Sequence, residues 1–201
     1  MKNNRNKYFF IGAVLLVLLD QFTKLLVKGF GFLGIEAEGM MLGSSISLIG
    51  DFLQITYVEN KGMAFGIEFG WGKIFLSMFS IFASIGLVFY LHKLQKFSAW
   101  VRTGVMFILA GAVGNLVDRV FYGILYGSAP LFYGSVVDFI MVDIPDISLF
   151  GNNYTHWPVF NIADSCVTIG VVFLVLFHNR IPSMKEVFPG NTKESAGTEL
   201  Q

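Results

Sequence analysis

A chain of 201 residues that is 54% apolar and only 14% charged is poorly suited to a water-facing surface, since soluble domains run at roughly 25% charged. Its 14 basic side chains balance its 14 acidic ones, so net charge gives no pointer to nucleic acid. The single cysteine, Cys166, excludes an internal disulfide framework and a thiolate metal cluster, and His92, His156 and His178 are too scattered for zinc-ligand spacing.

The first apolar run, 8–27, is long enough to span a bilayer, whose hydrocarbon core of about 30 Å takes about 20 residues. Its basic start resembles a secretory signal, but the run continues to Val27 and no small-residue cleavage site follows, so it reads as an uncleaved span. Asp20 and Lys24 interrupt it four residues apart, on one helix face. They read as a self-neutralised pair anchoring the helix, in preference to a direct catalytic role.

In the connection 28–73, the stretches 45–49 and 52–58 are rich in β-branched and aromatic residues. Gly50-Asp51 separates them, the signature of a hairpin. Asn60-Lys61-Gly62 then reads as a turn before Met63-Ala64-Phe65-Gly66. A second span, 74–91, carries no charge. A third, 103–121, places Asn115, Asp118 and Arg119 at i, i+3 and i+4, on one face. Gly111 and Gly114 leave that face thin enough for close approach of a helix or a substrate backbone. Asp118 and Arg119 fit an interfacial ion pair and a substrate contact equally well. The fourth span, 158–177, carries Asn161 and Asp164, and the helical rise puts Asp164 roughly 9 Å below its outer end. The polar segment 182–201 reads as a flexible tail, and Cys166 as a small apolar packing residue.

The fold expected is an all-α membrane protein of about four transmembrane helices, with a small β-rich extracytoplasmic element between the first and second spans. Residues 1–181 form its single domain. Basic residues flank the spans at Lys2, Arg5 and Lys7, at Lys93, Lys96 and Arg102, and at Arg180 and Lys185, whereas 122–157 has no lysine or arginine. Both termini are therefore expected to be cytoplasmic. This threading brings Asp20, Lys24, Asn115, Asp118, Arg119, Asn161 and Asp164 toward the outer face. Ionisable groups persist at such depth where they pair, line a polar cavity or do chemistry.

Asp164 has no basic neighbour within a turn of its own helix, which favours acid–base chemistry. Peptide hydrolysis by aspartates needs two carboxyls sharing a proton, one to activate water and one to polarise the carbonyl. Asp118, Asp138, Asp143 and Asp146 all lie on the outer side, and periodicity does not choose among them.

Five blocks in order carry a resemblance to a known family: Asp20-Gln21-Phe22-Thr23-Lys24, Asn60-Lys61-Gly62-Met63-Ala64-Phe65-Gly66, the run from Gly111 to Arg119, Val136-Val137-Asp138-Phe139, and Phe160-Asn161-Ile162-Ala163-Asp164-Ser165. Together they resemble lipoprotein signal peptidase (signal peptidase II), the bacterial intramembrane aspartyl peptidase. The resemblance implies that Asp138 and Asp164 are the catalytic dyad and that Asn60, Gly111, Asn115, Arg119 and Asn161 contact substrate. Asp20, Lys24 and Asp118 would be structural polar residues. It also implies cleavage of prolipoproteins before their diacylglyceryl-modified cysteine, without metal or organic cofactor, by a monomer in the bacterial cytoplasmic (inner) membrane. The active site would face outward amid membrane lipid and be open to globomycin-type inhibitors. The stretches 120–137 and 141–159 look longer than in most relatives and read as a lid or an outer platform. A small transporter or a non-cleaving lipopeptide-binding protein would also carry buried polar groups. Repeat symmetry would favour the first, and binding without cleavage the second.

Overall fold

Polar side chains point inward and apolar ones outward along the helices, the reverse of a soluble bundle. The computed structural model describes residues 6–32, 34–62, 72–149 and 152–189. Met63-Ala64-Phe65-Gly66 and the tail from 190 onward lie outside the described residues. In α1 (Lys7–Lys28), Ala13, Asp20, Lys24 and Val27 are buried along one stripe, while Val14, Leu15, Leu18, Phe22 and Leu26 are exposed. In α2 (Gly72–Lys93), Ser77, Ser84 and Leu91 recur every seven residues as the buried seam, and Phe75, Phe79, Phe82 and Phe89 face outward. Large exposed apolar residues around small or polar buried ones suit helices solvated by lipid.

The central helix is α3 (Ala99–Val117), packed against α1, α2 and α5 (Ile162–Leu176). Its approach to α5 is set by glycine. A Cβ at Gly170 would lie 2.6 Å from the Gly104 carbonyl oxygen, and one at Gly111 would collide with the Ala163 carbonyl. Toward the opposite end from Gly111, Trp100 stacks on Phe177 at 4.8 Å and Phe107 on Phe173 at 6.1 Å. Gly111→Val is accordingly expected to lower the melting temperature in detergent by well over 10 °C, because backbone must move. Gly86→Ala, where a Cβ meets nothing within 4 Å, should be neutral or slightly stabilising. Equal melting of the two variants would show that close packing of α3 on α5 is unimportant.

Among the described residues, three helical stretches are long and apolar enough to cross a bilayer: Lys7–Lys28, Gly72–Lys96 and Ala99–Leu125. The last includes a π-helical turn, Asp118–Tyr122, and a short helix α4, Gly123–Leu125. The 15 residues of α5 rise only about 22 Å, less than the hydrocarbon core. The helix expected from 158 starts at Ile162, because Phe160 bridges Ile140 in the sheet and Asn161 takes the N-cap. Asp164 is thus in the first turn of α5, not roughly 9 Å down it.

The β element is larger than expected and draws on both long connections. A hairpin of β1 (Phe30–Phe32) and β2 (Ile35–Ala37) stands apart. β3 (Ser45–Ile49) and β4 (Leu53–Asn60) form the anticipated hairpin, but β4 also pairs with β5 (Val136–Leu149), which pairs with β6 (Asn152–His156). The stretch 141–159 is therefore largely a hairpin extending this sheet. Between Ile55 and Val58 the β4–β5 register slips by one residue, so that Val58 stands opposite Asp138. Such a bulge re-aims side chains locally, here beside the acidic residue of the fourth block.

At the other end, the Asn6 amide donates to the Leu91 carbonyl and accepts from Arg102 at 3.2 Å. The segment expected to be a flexible tail opens with a short helix, α6 (Met184–Val187), capped by Ser183, and Val187 is buried against Leu91 and Leu94.

Candidate active site

The foundation of the site is a fully buried lysine. Lys24 is 0% exposed, and its three ammonium protons go to Asp20 at 2.9 Å, Asp118 at 2.8 Å and the Asn115 side-chain oxygen at 3.0 Å. Two carboxylates thus share one cation. Their remaining lone pairs are filled by backbone and amide donors: Ala163 N–H to Asp20 at 2.9 Å, Val137 N–H to Asp118 at 3.2 Å, and the Gln21 amide to both. A buried ion cluster survives only when its charges are this completely hydrogen-bonded. Asp20 and Lys24 do pair as expected, but Asp118 pairs with Lys24 across helices instead of with its neighbour Arg119. The cluster ties α1 to α3, to the start of α5 and to β5.

Above it lie two asparagines. Asn115 donates to Asp164 Oδ1 at 2.8 Å, while its own oxygen accepts from Lys24 and from Asn161. Asn161, also 0% exposed, caps α5 by accepting from the Asp164 N–H at 2.9 Å; its backbone N–H donates to Asp164 Oδ2 at 3.2 Å. The Asn161 amide also donates to Asp138 Oδ1 at 2.7 Å. Asn60, diagonal to Asp138 across the β4–β5 ladder, donates to its other oxygen at 3.0 Å. Asp138 and Asp164 are therefore both held by Asn161, one from the sheet and one from a helix start. Burial, and next the charge of Asp164, push the Asp138 carboxyl from its usual value near 3.8 up to about 6, against the pull of the Asn60 and Asn161 amides and Lys24.

Asp138 and Asp164 converge, whereas Asp143 and Asp146 lie farther along β5, where it leaves β4 for β6. Of the two neighbours that the thin face at Gly111 was expected to admit, a helix or a substrate backbone, the structure shows the helix: α5 covers it at Ala163 and Val167. Asn115 and Asn161 spend their polar atoms on the carboxylates and on Lys24. Asn60 and Arg119 border a cleft, and among the described residues Arg119 makes one long hydrogen bond, 3.4 Å to the Asn115 carbonyl.

Two groups went unremarked in the sequence as parts of the site. Gln21 links Asp20, Asp118 and the Gly114 carbonyl, and accepts from the Tyr122 hydroxyl at 3.1 Å; an amide beside an aspartate inside an apolar helix was the available signal. Lys28, at the end of α1, pairs with Glu59, donates to the Tyr57 hydroxyl at 2.9 Å and stands 4.4 Å over the Tyr126 ring. Burial alone would raise the Glu59 carboxyl, but the Lys28 and Tyr57 donors outweigh it and hold the carboxyl below its usual range. This clasp fixes β4 to α1 one residue from Asn60.

The model of the signal peptidase (SPase) II family matches residues 12–179. The lipoprotein signal peptidase of Chlorobaculum tepidum is 39% identical over 88% of this chain and 97% of its own. That of Porphyromonas gingivalis is 33% identical over 94% and 92%. A solved bacterial membrane enzyme, determined by the in meso method at 2.3 Å, superposes with a TM-score of 0.62 at 31% identity, covering 96% of this chain and 94% of the other. With the apolar helices, the small sheet and the ordered polar blocks already in place, these likenesses make the chain a member of the signal peptidase II family.

Proposed function

We propose that this chain is a membrane aspartyl endopeptidase that removes signal peptides from prolipoproteins, cutting before the diacylglyceryl-modified cysteine. The observation that carries the reading is the pair of carboxylates, Asp138 on β5 and Asp164 at the start of α5, held by one asparagine. Four spans with both termini in the cytoplasm, α5 being the short fourth, would set this pair at the outer membrane interface. Water reaches that depth, and the substrate's acyl chains stay in lipid.

In the reaction, ionised Asp164 takes a proton from water as the water oxygen attacks the scissile carbonyl carbon. Protonated Asp138 donates its proton to the carbonyl oxygen. The tetrahedral diol then collapses: the C–N bond breaks, the carboxyl product forms, and a proton passes to the leaving amine of the cysteine. Burial of Asp138 and the charge beside it favour its protonated form, which supports this assignment. Lys24 acts through Asn115, keeping the Asp164 carboxylate oriented. Asn60 and Arg119 face the substrate, and a globomycin-type cyclic peptide would compete there.

The test is cleavage of a synthetic diacylglyceryl-modified lipobox peptide by purified protein in lipid. Cleavage before the modified cysteine is the expected result. Intact peptide after incubation with well-folded protein would overturn the reading. Because Asp138 must carry the proton, kcat/KM is expected to fall as pH rises through about 6, by up to tenfold per unit. A profile flat from pH 5 to 8 would remove Asp138 from the acid role.

A further inference from the structure

Three basic side chains gather on one cleft beside the two carboxylates, with Glu59 acting on Lys73 from one side. Lys61, Lys73 and Arg119 line one open cleft together with Asn60, Leu76 and Gly134. The cleft adjoins the site directly, since Asn60 donates to Asp138 at 3.0 Å and Arg119 lies one helical turn from Asn115, which holds Asp164. Lys73, at the start of α2, is directed there by its bond to the Tyr133 carbonyl at 3.2 Å. Among the described residues Arg119 makes one hydrogen bond, to the Asn115 carbonyl, and its guanidinium carries four further N–H donors.

The proposed hydrolysis creates an anion at this spot. Before cleavage the last residue of the signal peptide ends in a neutral amide; afterwards it ends in a carboxylate beside Asp138 and Asp164. Three carboxyl groups then crowd one small region, and like charges at such distances repel strongly. A cationic cleft one residue away offers that new carboxylate the partners it lacks. A guanidinium suits it geometrically, through paired N–H donors, and an ammonium adds charge-assisted bonds. Uncleaved substrate, neutral at this point of its chain, gains less from these charges than the product does.

We infer that the Lys73–Arg119 cleft is a product site, taking the newly formed C-terminal carboxylate of the released signal peptide and drawing it off the aspartates. The inference rests on the peptidase reading but is tested separately, by binding. Lys73 is then a product-binding residue whose charge, and not its shape, matters.

The experiment uses the full chain in nanodiscs of zwitterionic lipid and a fluorescent signal-peptide fragment ending at the cleavage site, made as the free acid and as the C-terminal amide. Anisotropy is expected to show the acid binding about tenfold tighter than the amide. Lys73→Gln should cut that preference to about threefold, and Lys73→Arg should restore it. Equal binding of acid and amide to the parent, or a preference unaltered in Lys73→Gln, would overturn the inference. So would loss of the preference when an anionic phospholipid is added to the disc, which would assign the cleft to lipid phosphate. Acid preference in a protein that leaves lipobox peptide intact would sink the peptidase reading and leave the carboxylate site standing.

Discussion

Asp138→Asn and Asp164→Asn are each expected to slow cleavage by roughly a thousandfold or more while leaving a folded protein. Each substitution keeps volume and polarity but removes the proton chemistry. The two should differ in stability. Asp138 is 3% exposed and its carboxyl is pushed up to about 6 in the folded chain. A carboxyl raised by folding contributes stability that is complete below its unfolded value near 4 and is lost as pH rises through about 6. At pH 8 the parent bears that loss and Asp138→Asn does not, which offsets the one hydrogen bond an amide gives up toward Asn60 or Asn161, so the variant should melt close to the parent. Asp164 accepts two hydrogen bonds at the start of α5, from Asn115 and from the Asn161 backbone. An amide there can accept at only one of its two ends, so Asp164→Asn should lose on the order of 1 kcal/mol. Thermal melting of the three proteins at pH 5 and pH 8, beside their cleavage rates, checks both halves. Full activity in either variant would take that residue out of the mechanism.

Lys24→Met is expected to be the most damaging single change to stability. It leaves Asp20 and Asp118, 1% and 0% exposed at their side chains, with no cation between them. Removing one partner from a buried ion pair costs about 3–5 kcal/mol, and here two carboxylates lose the same partner. The neutral triple variant Lys24→Met, Asp20→Asn, Asp118→Asn should recover much of the loss, because no buried charge remains. A Lys24→Met protein that melts with the parent would show that water or an alternative cation reaches the cluster. The triple variant should still cleave poorly, since the Asn115 oxygen loses the ammonium that holds it and Asp164 is then less well oriented. That split between recovered folding and unrecovered rate separates the two roles of Lys24.

The helices themselves were legible from local pattern. A charged pair four residues apart in an apolar run can escape lipid only by facing other protein, so Asp20 and Lys24 announced the buried stripe of α1. Asn115 and Asp118 did the same for α3. The β3–β4 hairpin was readable from Gly50-Asp51 between two β-rich runs. Where the reading failed, the decisive contact was distant in sequence. Asp118 was expected to be equally fit for Arg119, its neighbour, as for substrate, but Lys24 lies nearly a hundred residues away and satisfies it at 2.8 Å. The thin face at Gly111 could admit a helix or a substrate backbone, and only the packing of α5 decided for the helix.

The sequence by itself determined that this chain is a membrane protein with a polar cluster toward one end of its spans, and the order of its five blocks pointed to its family. Those properties follow from hydropathy, charge placement and short-range periodicity, which need no knowledge of what packs where. Only the tertiary structure brought Asp138 next to Asp164. Asp138 rides on a strand that pairs with β4, from the connection before α2, and a one-residue slip in that pairing aims it at Asn161. Strand pairing across some eighty residues is fixed by ladder hydrogen bonds and by what each face buries, and neither quantity is written in any local stretch of the chain.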